Sequence, residues 1–168
     1  MIRSAPMAPP ATIVQADLAR PEHQRDVVAM TAAYAMDVMG NDGPLPAEVM
    51  SRLIPGLRQH PTTTIFLAYV AGRAVGIATC FLGFSTFAAR PLLNIHDLAV
   101  LPDHRGTGVG RALLQAAEHR ARELGCARLT LEVQDGNVRA KQVYRAAGFA
   151  QAVYGRATGG SLFYLKAL

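Results

Sequence analysis

Apolar and polar positions along the chain recur with two different periods, and the switches between them divide it into elements. Thr12 to Ala16 alternates over a short run and predicts a first strand. Asp17 is a candidate cap, and Pro21-Glu22 suits a first helical turn. From Glu22 to Met39 the apolar residues Val27, Met30, Tyr34 and Val38 return every three to four positions, the helical spacing. Gly40-Asn41-Asp42-Gly43-Pro44 is a dense turn signal that ends this helix. A second helix starts at Pro46, carries Val49, Leu53, Ile54 and Leu57 on its apolar face, and runs to about Gln59 before Pro61. The pattern then changes to β-branched and aromatic residues. Thr63 to Val70 and Ala74 to Phe84 read as two strands joined by the tight turn Ala71-Gly72-Arg73, a β-hairpin.

Leu92 to Leu101 is a mostly apolar strand interrupted by Asn94, His96 and Asp97, and Pro102 cannot extend its ladder. Val109 to Leu124 is helical, with Leu113, Ala117, Ala121 and Leu124 inward and Arg111, Gln115, Glu118 and Arg122 outward. Gly125 sits where a closing glycine belongs. Arg128 to Gln134 reads as a strand, and Asn137 caps a helix from Val138 to Ala147 that Gly148 ends. Phe149 to Tyr154 and Ser161 to Leu165 read as two last strands, turning at Thr158-Gly159-Gly160. The order gives an α/β fold: a mixed sheet of about seven strands flanked by about four helices.

Composition narrows this picture. The 168 residues are 51% hydrophobic and only 17% charged, which fits one globular domain, residues 12 to 168, behind a flexible Pro- and Ala-rich leader, residues 1 to 11. The formal charge of +5 suits an anionic partner. The basic residues are dispersed without interleaved aromatics, so no nucleic-acid partner is expected. No apolar stretch approaches the roughly 20 residues of a membrane helix, so no membrane partner is expected and the location read is cytoplasmic. Cys80 and Cys126 lack metal or redox spacing and read as reduced thiols.

The chemistry gathers after the apolar strand. Gly106, Gly108 and Gly110 free the backbone just before a helix N-terminus, whose unpaired amides and positive dipole end form an anion site. A dinucleotide fingerprint needs a third glycine where Arg111 stands, and a triphosphate loop needs Gly-Lys-Ser/Thr where the chain has Gly110-Arg111-Ala112. What the stretch resembles is Arg/Gln-x-x-Gly-x-Gly/Ala, here Arg105-Gly106-Thr107-Gly108-Val109-Gly110, the acyl-CoA pyrophosphate loop of GCN5-related N-acetyltransferases. Asp-Leu-Ala-Val-x-Pro over residues 97 to 102 is similar to that family's fourth strand. Asn137 followed by Tyr144 and then Ala147-Gly148-Phe149 resembles its second signature.

The resemblance covers nearly the whole chain. It implies acetyl-CoA as cosubstrate, no metal, and direct acetyl transfer to a primary amine of a small molecule or peptide. It also implies that a homodimer is a common arrangement. Gly106, Thr107, Gly108, Val109 and Gly110 would hold the pyrophosphate with Arg105 and Arg111. The fourth strand would be bulged near Leu98, Ala99 and Val100 and pair there with the pantetheine arm. Tyr144 is the candidate acid for the leaving thiolate, since tyrosine's ordinary pKa is about 10. Asn137 either contacts the pantetheine amide or simply caps its helix. For the base two residues compete, or water serves alone. Histidine's unperturbed pKa of about 6.5 recommends His96, and Asp97 stands where the family often has an acid. Strict alternation puts Asn94, His96 and Leu98 on one face and Ile95, Asp97 and Ala99 on the other, unless a bulge breaks the parity. Asp37, Asn41, Asp42 and Glu48 lie in the region expected to hold the acceptor, although exposed polar residues are ordinary there. A non-catalytic acyl-CoA sensor of the same fold is the alternative.

Overall fold

In a computed structural model, residues 10–152 are described. Their backbone contacts group them into two units, one ending at Gln134 and one beginning at Asp135. The first unit holds strands β1 (Thr12–Gln15), β2 (Thr63–Val70), β3 (Arg73–Ser85), β4 (Arg90–Val100) and β5 (Leu129–Leu131). Its helices are α1 (Pro21–Ala35), α2 (Ala47–Gln59) and α3 (Val109–Glu123). The second unit holds α4 (Val138–Ala146). The strands lie in sequence order, β1 to β4 antiparallel and β5 parallel to β4, so the sheet is mixed as expected.

Five strands form among the described residues where the pattern predicts about seven. The segment Ser161 to Leu165 lies outside the described residues. The segment Phe149 to Tyr154 lies there in part, and its residues 149–152 pair in no strand. β5 is shorter than the Arg128–Gln134 pattern, because only Leu129, Thr130 and Leu131 meet β4. The second helix begins at Ala47, one residue later than its pattern suggests, and Val49 is exposed rather than packed.

The sheet buries both faces. On one, Val27 and Met30 of α1 meet Ile65, Leu67 and Ile77, with Ile54 and Leu57 of α2 and Ala99 and Leu101 packed around them. On the other, α3 presents Val109, Leu113, Leu114, Ala117 and Ala121, all buried. Burying a side chain such as Leu113 contributes about 1.5–3 kcal/mol. A glycine sets how closely α3 approaches. A Cβ on Gly76 of β3 would lie 3.0 Å from Val109 Cγ1 and 3.1 Å from Leu113 Cδ1. Gly110 likewise faces Val100 Cγ2, 3.7 Å from where its own Cβ would be. The first turn of α3 is thereby seated on β3 and against the end of β4.

The first helix ends at Ala35, four residues before the periodic pattern stops. Beyond it the chain turns: Met39 N–H donates to the Asp37 carboxylate at 2.8 Å, and Gly40 N–H to the Asp37 carbonyl at 2.8 Å. An aspartate that satisfies the backbone locally competes with helix continuation.

Candidate active site

β4 is where the site is built, and a bulge decides which side chains reach it. Thr79 of β3 pairs with Asp97 and Cys80 with Ile95, so His96 is one residue too many on β4. Strict alternation therefore fails at His96. Leu93 and Ile95 are buried on the α3 side, with Cys80. Past the bulge Ala99 pairs with Ile77 on the α1 side, and Asp97 pairs with Thr79 on that same side. Asn94, His96, Asp97 and Ala99 thus share the α1 face, while Leu98 falls on the α3 face. The bulge lies at His96 and not at Leu98 to Val100, which pair regularly with Ala78, Ile77 and Gly76. A bulge re-aims side chains in this way, and here it sets His96 beside Asp97.

The backbone beyond the bulge has a free edge. β5 pairs only with Leu93, Asn94 and Ile95. Leu93 N–H points to that side and reaches the Arg128 carbonyl at 3.2 Å, whereas Leu101 N–H reaches Val75 of β3 at 2.9 Å. Counting back from Leu101 with the strand period, Val100 and Leu98 turn their N–H and C=O groups away from β3. Among the described residues no strand pairs with them there. β4 and β5 therefore part after Ile95 and leave an opening.

The glycine loop flanks this edge. A short turn of 3-10 type, Pro102–His104, leads to Arg105, and Thr107 Oγ1 donates to the His104 carbonyl at 2.7 Å. Gly106 and Gly108 have φ of +78° and +94°, the left-handed region that glycine enters without strain. Gly108 is the N-cap of α3, and no side chain caps the helix. The first helical acceptor is the Gly108 carbonyl, 3.0 Å from Ala112 N. Among the described residues none accepts from the amides of Val109, Gly110 and Arg111. These amides and the helix dipole make an anion cradle. The Arg111 side chain is exposed on the same turn, and Val109 is buried beneath it.

The Arg105 side chain bonds to the end of β4 and to the α1–α2 loop. Its Nε donates to the Val100 carbonyl at 2.9 Å and its Nη2 pairs with the Asp37 carboxylate. The separation of Asp37 and Arg105 in sequence is 68 residues, and no spacing signal announces such a contact. Asp37 is held below the ordinary carboxylate range, first by the Met39 amide and then by Arg105.

Asp97 behaves in the opposite way. Burial pushes its pKa up, and the neighbouring His96 only partly offsets this. Tyr34 of α1 is raised by burial, then by the charges of Asp97 and Asp37. His96 is exposed, and its ring meets Phe81 edge-on at 5.5 Å. Cys80 is buried, with its thiol pushed up to about 12 chiefly by that burial, so it is chemically quiet.

The sign for Asp97 follows directly. A carboxyl that holds its proton more tightly when folded adds stability below its unfolded pKa, and this is lost as pH rises through the raised folded value. Asp97→Asn should therefore melt higher than the parent chain at neutral pH. The gain should vanish below about pH 3.9, the unfolded carboxyl value. Melting temperatures between about pH 3 and pH 8 would check this, and a pH-independent difference would contradict it.

In the second unit Asn137 Oδ1 accepts from Ala140 N–H at 3.0 Å, the N-cap bond of α4. Tyr144 lies two turns further on, its ring centroid 6.0 Å from that of Phe149. Among the described residues no cluster of three or more His, Cys, Asp or Glu could hold a metal ion. No described helix is long and apolar enough to cross a membrane.

Beyond the bulge the edge of β4 lies beside the uncapped, glycine-led N-terminus of α3. The acetyltransferase (GNAT) family model matches residues 29–149. The chain belongs to this family. The streptothricin acetyltransferase of Streptomyces lavendulae is 43% identical over 82 residues, 49% of this chain and 43% of that protein. The thialysine N-epsilon-acetyltransferase of Bos taurus is 32% identical over 104 residues, 62% of this chain and 53% of that one. The chain thus spans about half the length of these curated relatives. The solved structure of AAC(6')-Iy with the bisubstrate analog CoA-S-monomethyl-acetylneamine superposes with a TM-score of 0.72 at 19% identity, covering 94% of this chain and 99% of that one. At that identity the likeness establishes the GNAT fold.

Proposed function

We propose that this GNAT chain is a cytoplasmic acetyl-CoA-dependent N-acetyltransferase that moves an acetyl group directly to a primary amine. The observation that carries the reading is the free edge of β4 beside the uncapped N-terminus of α3. An extended amide-bearing arm fits such an edge as an added strand, through the outward groups of Leu98 and Val100. An anionic pyrophosphate fits the amides of Gly106 to Arg111, and the formal charge of +5 favours it. The relatives named for acetylating amines support the acceptor class. The free thiols of Cys80 and Cys126 suit a reducing compartment.

Amide formation needs an unprotonated amine, a polarised thioester carbonyl and a proton for the departing thiolate. Leu98 N–H, the free-edge amide farther from the anion cradle and next to Asp97, is the donor proposed for the carbonyl oxygen. His96 and Asp97 share one face and divide the base's work. Asp97, with its pKa raised by burial, is closer to neutrality than an ordinary carboxylate, and exposed His96 can pass the proton to water. Tyr144 supplies the thiolate's proton.

A screen of polyamines, amino acids, aminoglycosides and peptide N-termini, read by release of free CoA, tests the reading. At least one amine class should release CoA above the hydrolytic background. Acetyl-CoA binding without turnover on any amine would instead favour an acyl-CoA sensor.

A further inference from the structure

We propose that Asp37 is a positioning residue that ties the acceptor side of the site to the donor side. Paired with Arg105, it holds the loop between α1 and α2, residues 36–46, across the opening between β4 and β5. The inference rests on the acetyltransferase reading above.

Hydrogen bonds link the two sides without a break. Arg105 stands immediately before the glycine loop. It reaches the end of β4 through the Val100 carbonyl, at 2.9 Å, and the α1–α2 loop through Asp37. The other carboxylate oxygen of Asp37 accepts Met39 N–H at 2.8 Å. The Met39 carbonyl then accepts from Tyr34 Oη at 3.4 Å and from Gln134 Nε2 at 3.3 Å. Gln134 lies three residues past the end of β5. The loop thus bonds on one side to the chain after β4 and on the other to the chain after β5. Gly40 lets it fold this tightly, since a Cβ there would lie 2.1 Å from the Tyr34 carbonyl oxygen. The Arg105 and Asp37 side chains are only 32% and 17% exposed, so water screens their pairing less than that of a surface ion pair.

Two consequences follow. Arg105 occupies the Val100 carbonyl, the last acceptor on the free edge of β4. A ligand pairing there as a strand finds Leu98 N–H, Leu98 C=O and Val100 N–H open, while the Val100 carbonyl already holds Arg105. Arg105 directly precedes the cradle and also bonds Asp37, so occupation of the cradle and the loop's hold on Arg105 are linked through it, and such linkage is reciprocal.

The test is hydrogen exchange of the full chain with and without saturating acetyl-CoA. In the parent chain acetyl-CoA should slow exchange at residues 106–111 and also at residues 36–46. In Asp37→Asn the slowing at 106–111 should persist while residues 36–46 no longer respond. Acetyl-CoA affinity should fall about fivefold or more. Asp37→Glu should restore part of the loop's response. If Asp37→Asn melts below the assay temperature, Arg105→Lys serves instead. It keeps one positive charge but cannot bridge Val100 and Asp37 in the same way, and the same loss at 36–46 is expected. A loop that responds equally in parent and variant, or that responds in neither, overturns the inference. Absence of slowing at 106–111 in the parent chain would instead overturn the donor-site reading, so the two failures are distinct.

Discussion

Gly108→Ala should weaken acetyl-CoA binding about 100-fold or more, while the fold survives. Gly108 has φ of +94°, and a Cβ on it would meet no protein atom within 4 Å. Alanine in a left-handed conformation costs about 1–2 kcal/mol of stability. The larger effect is on the ligand. On the proposed donor-site reading, the added methyl group crowds the approach of a phosphate oxygen to the amides of Val109 and Gly110. Hydrogen bonds to a charged group contribute about 1.5–3 kcal/mol each, and 1.4 kcal/mol is tenfold in affinity, so losing two gives the stated factor. Gly125→Ala is the control. Gly125 also has positive φ, at +66°, with nothing within 4 Å of an added Cβ, and it closes the opposite end of α3. It should lose similar stability and no affinity. Calorimetric titration with acetyl-CoA separates the two, and unchanged affinity in Gly108→Ala would remove the loop from the donor site.

The elements most legible in the sequence are those whose signals are local. β2 runs from Thr63 to Val70 as its β-branched pattern predicts, and α3 starts at Val109 directly after the glycine that the pattern marks. Gly125 and Gly148 both take positive φ behind their helices, as closing glycines do. What the sequence hid is non-local. The bulge at His96 leaves no trace in composition, because β4 remains apolar and β-like on both sides of it. Its effect is nonetheless decisive, since one extra residue inverts every later side chain and brings Asp97 to the face of His96. The early end of α1 depends on Asp37 turning its carboxylate to its own loop. The Arg105–Asp37 pair joins residues far apart in the chain, so the sequence gives no hint that the motif's arginine bonds to the α1–α2 loop and the end of β4. The shortness of β5 belongs to the same class: residues 132–134 carry strand-like character, but β4 has already turned away from them.

The largest effect on turnover is expected from Tyr144→Phe. Of the two motif residues in the second unit, Asn137 has a structural duty already. Its oxygen caps α4 through Ala140 N–H, so Asn137→Ala should cost about 1 kcal/mol of stability by that route alone. Tyr144 carries the one group of the pair suited to proton donation. Collapse of the tetrahedral intermediate expels a thiolate while the amine nitrogen is still shedding its proton. A phenol, with an ordinary pKa of about 10, is protonated at neutral pH and can stabilise that sulfur as it leaves. Phenylalanine keeps the aromatic ring that meets Phe149 and removes the hydroxyl, so acetyl-CoA affinity should stay nearly unchanged, and a melting curve of the variant reports separately what the hydroxyl contributes to the fold. Loss of a positioned general acid typically costs a factor of about 100 to 10,000 in rate. The expected result is therefore a kcat lower by about 100-fold or more, with an unchanged KM for acetyl-CoA. An interaction made only in the transition state gives that signature, whereas a lost binding contact raises KM instead. If kcat and its pH profile match those of the parent chain, water protonates the thiolate and Tyr144 belongs to the packing of α4.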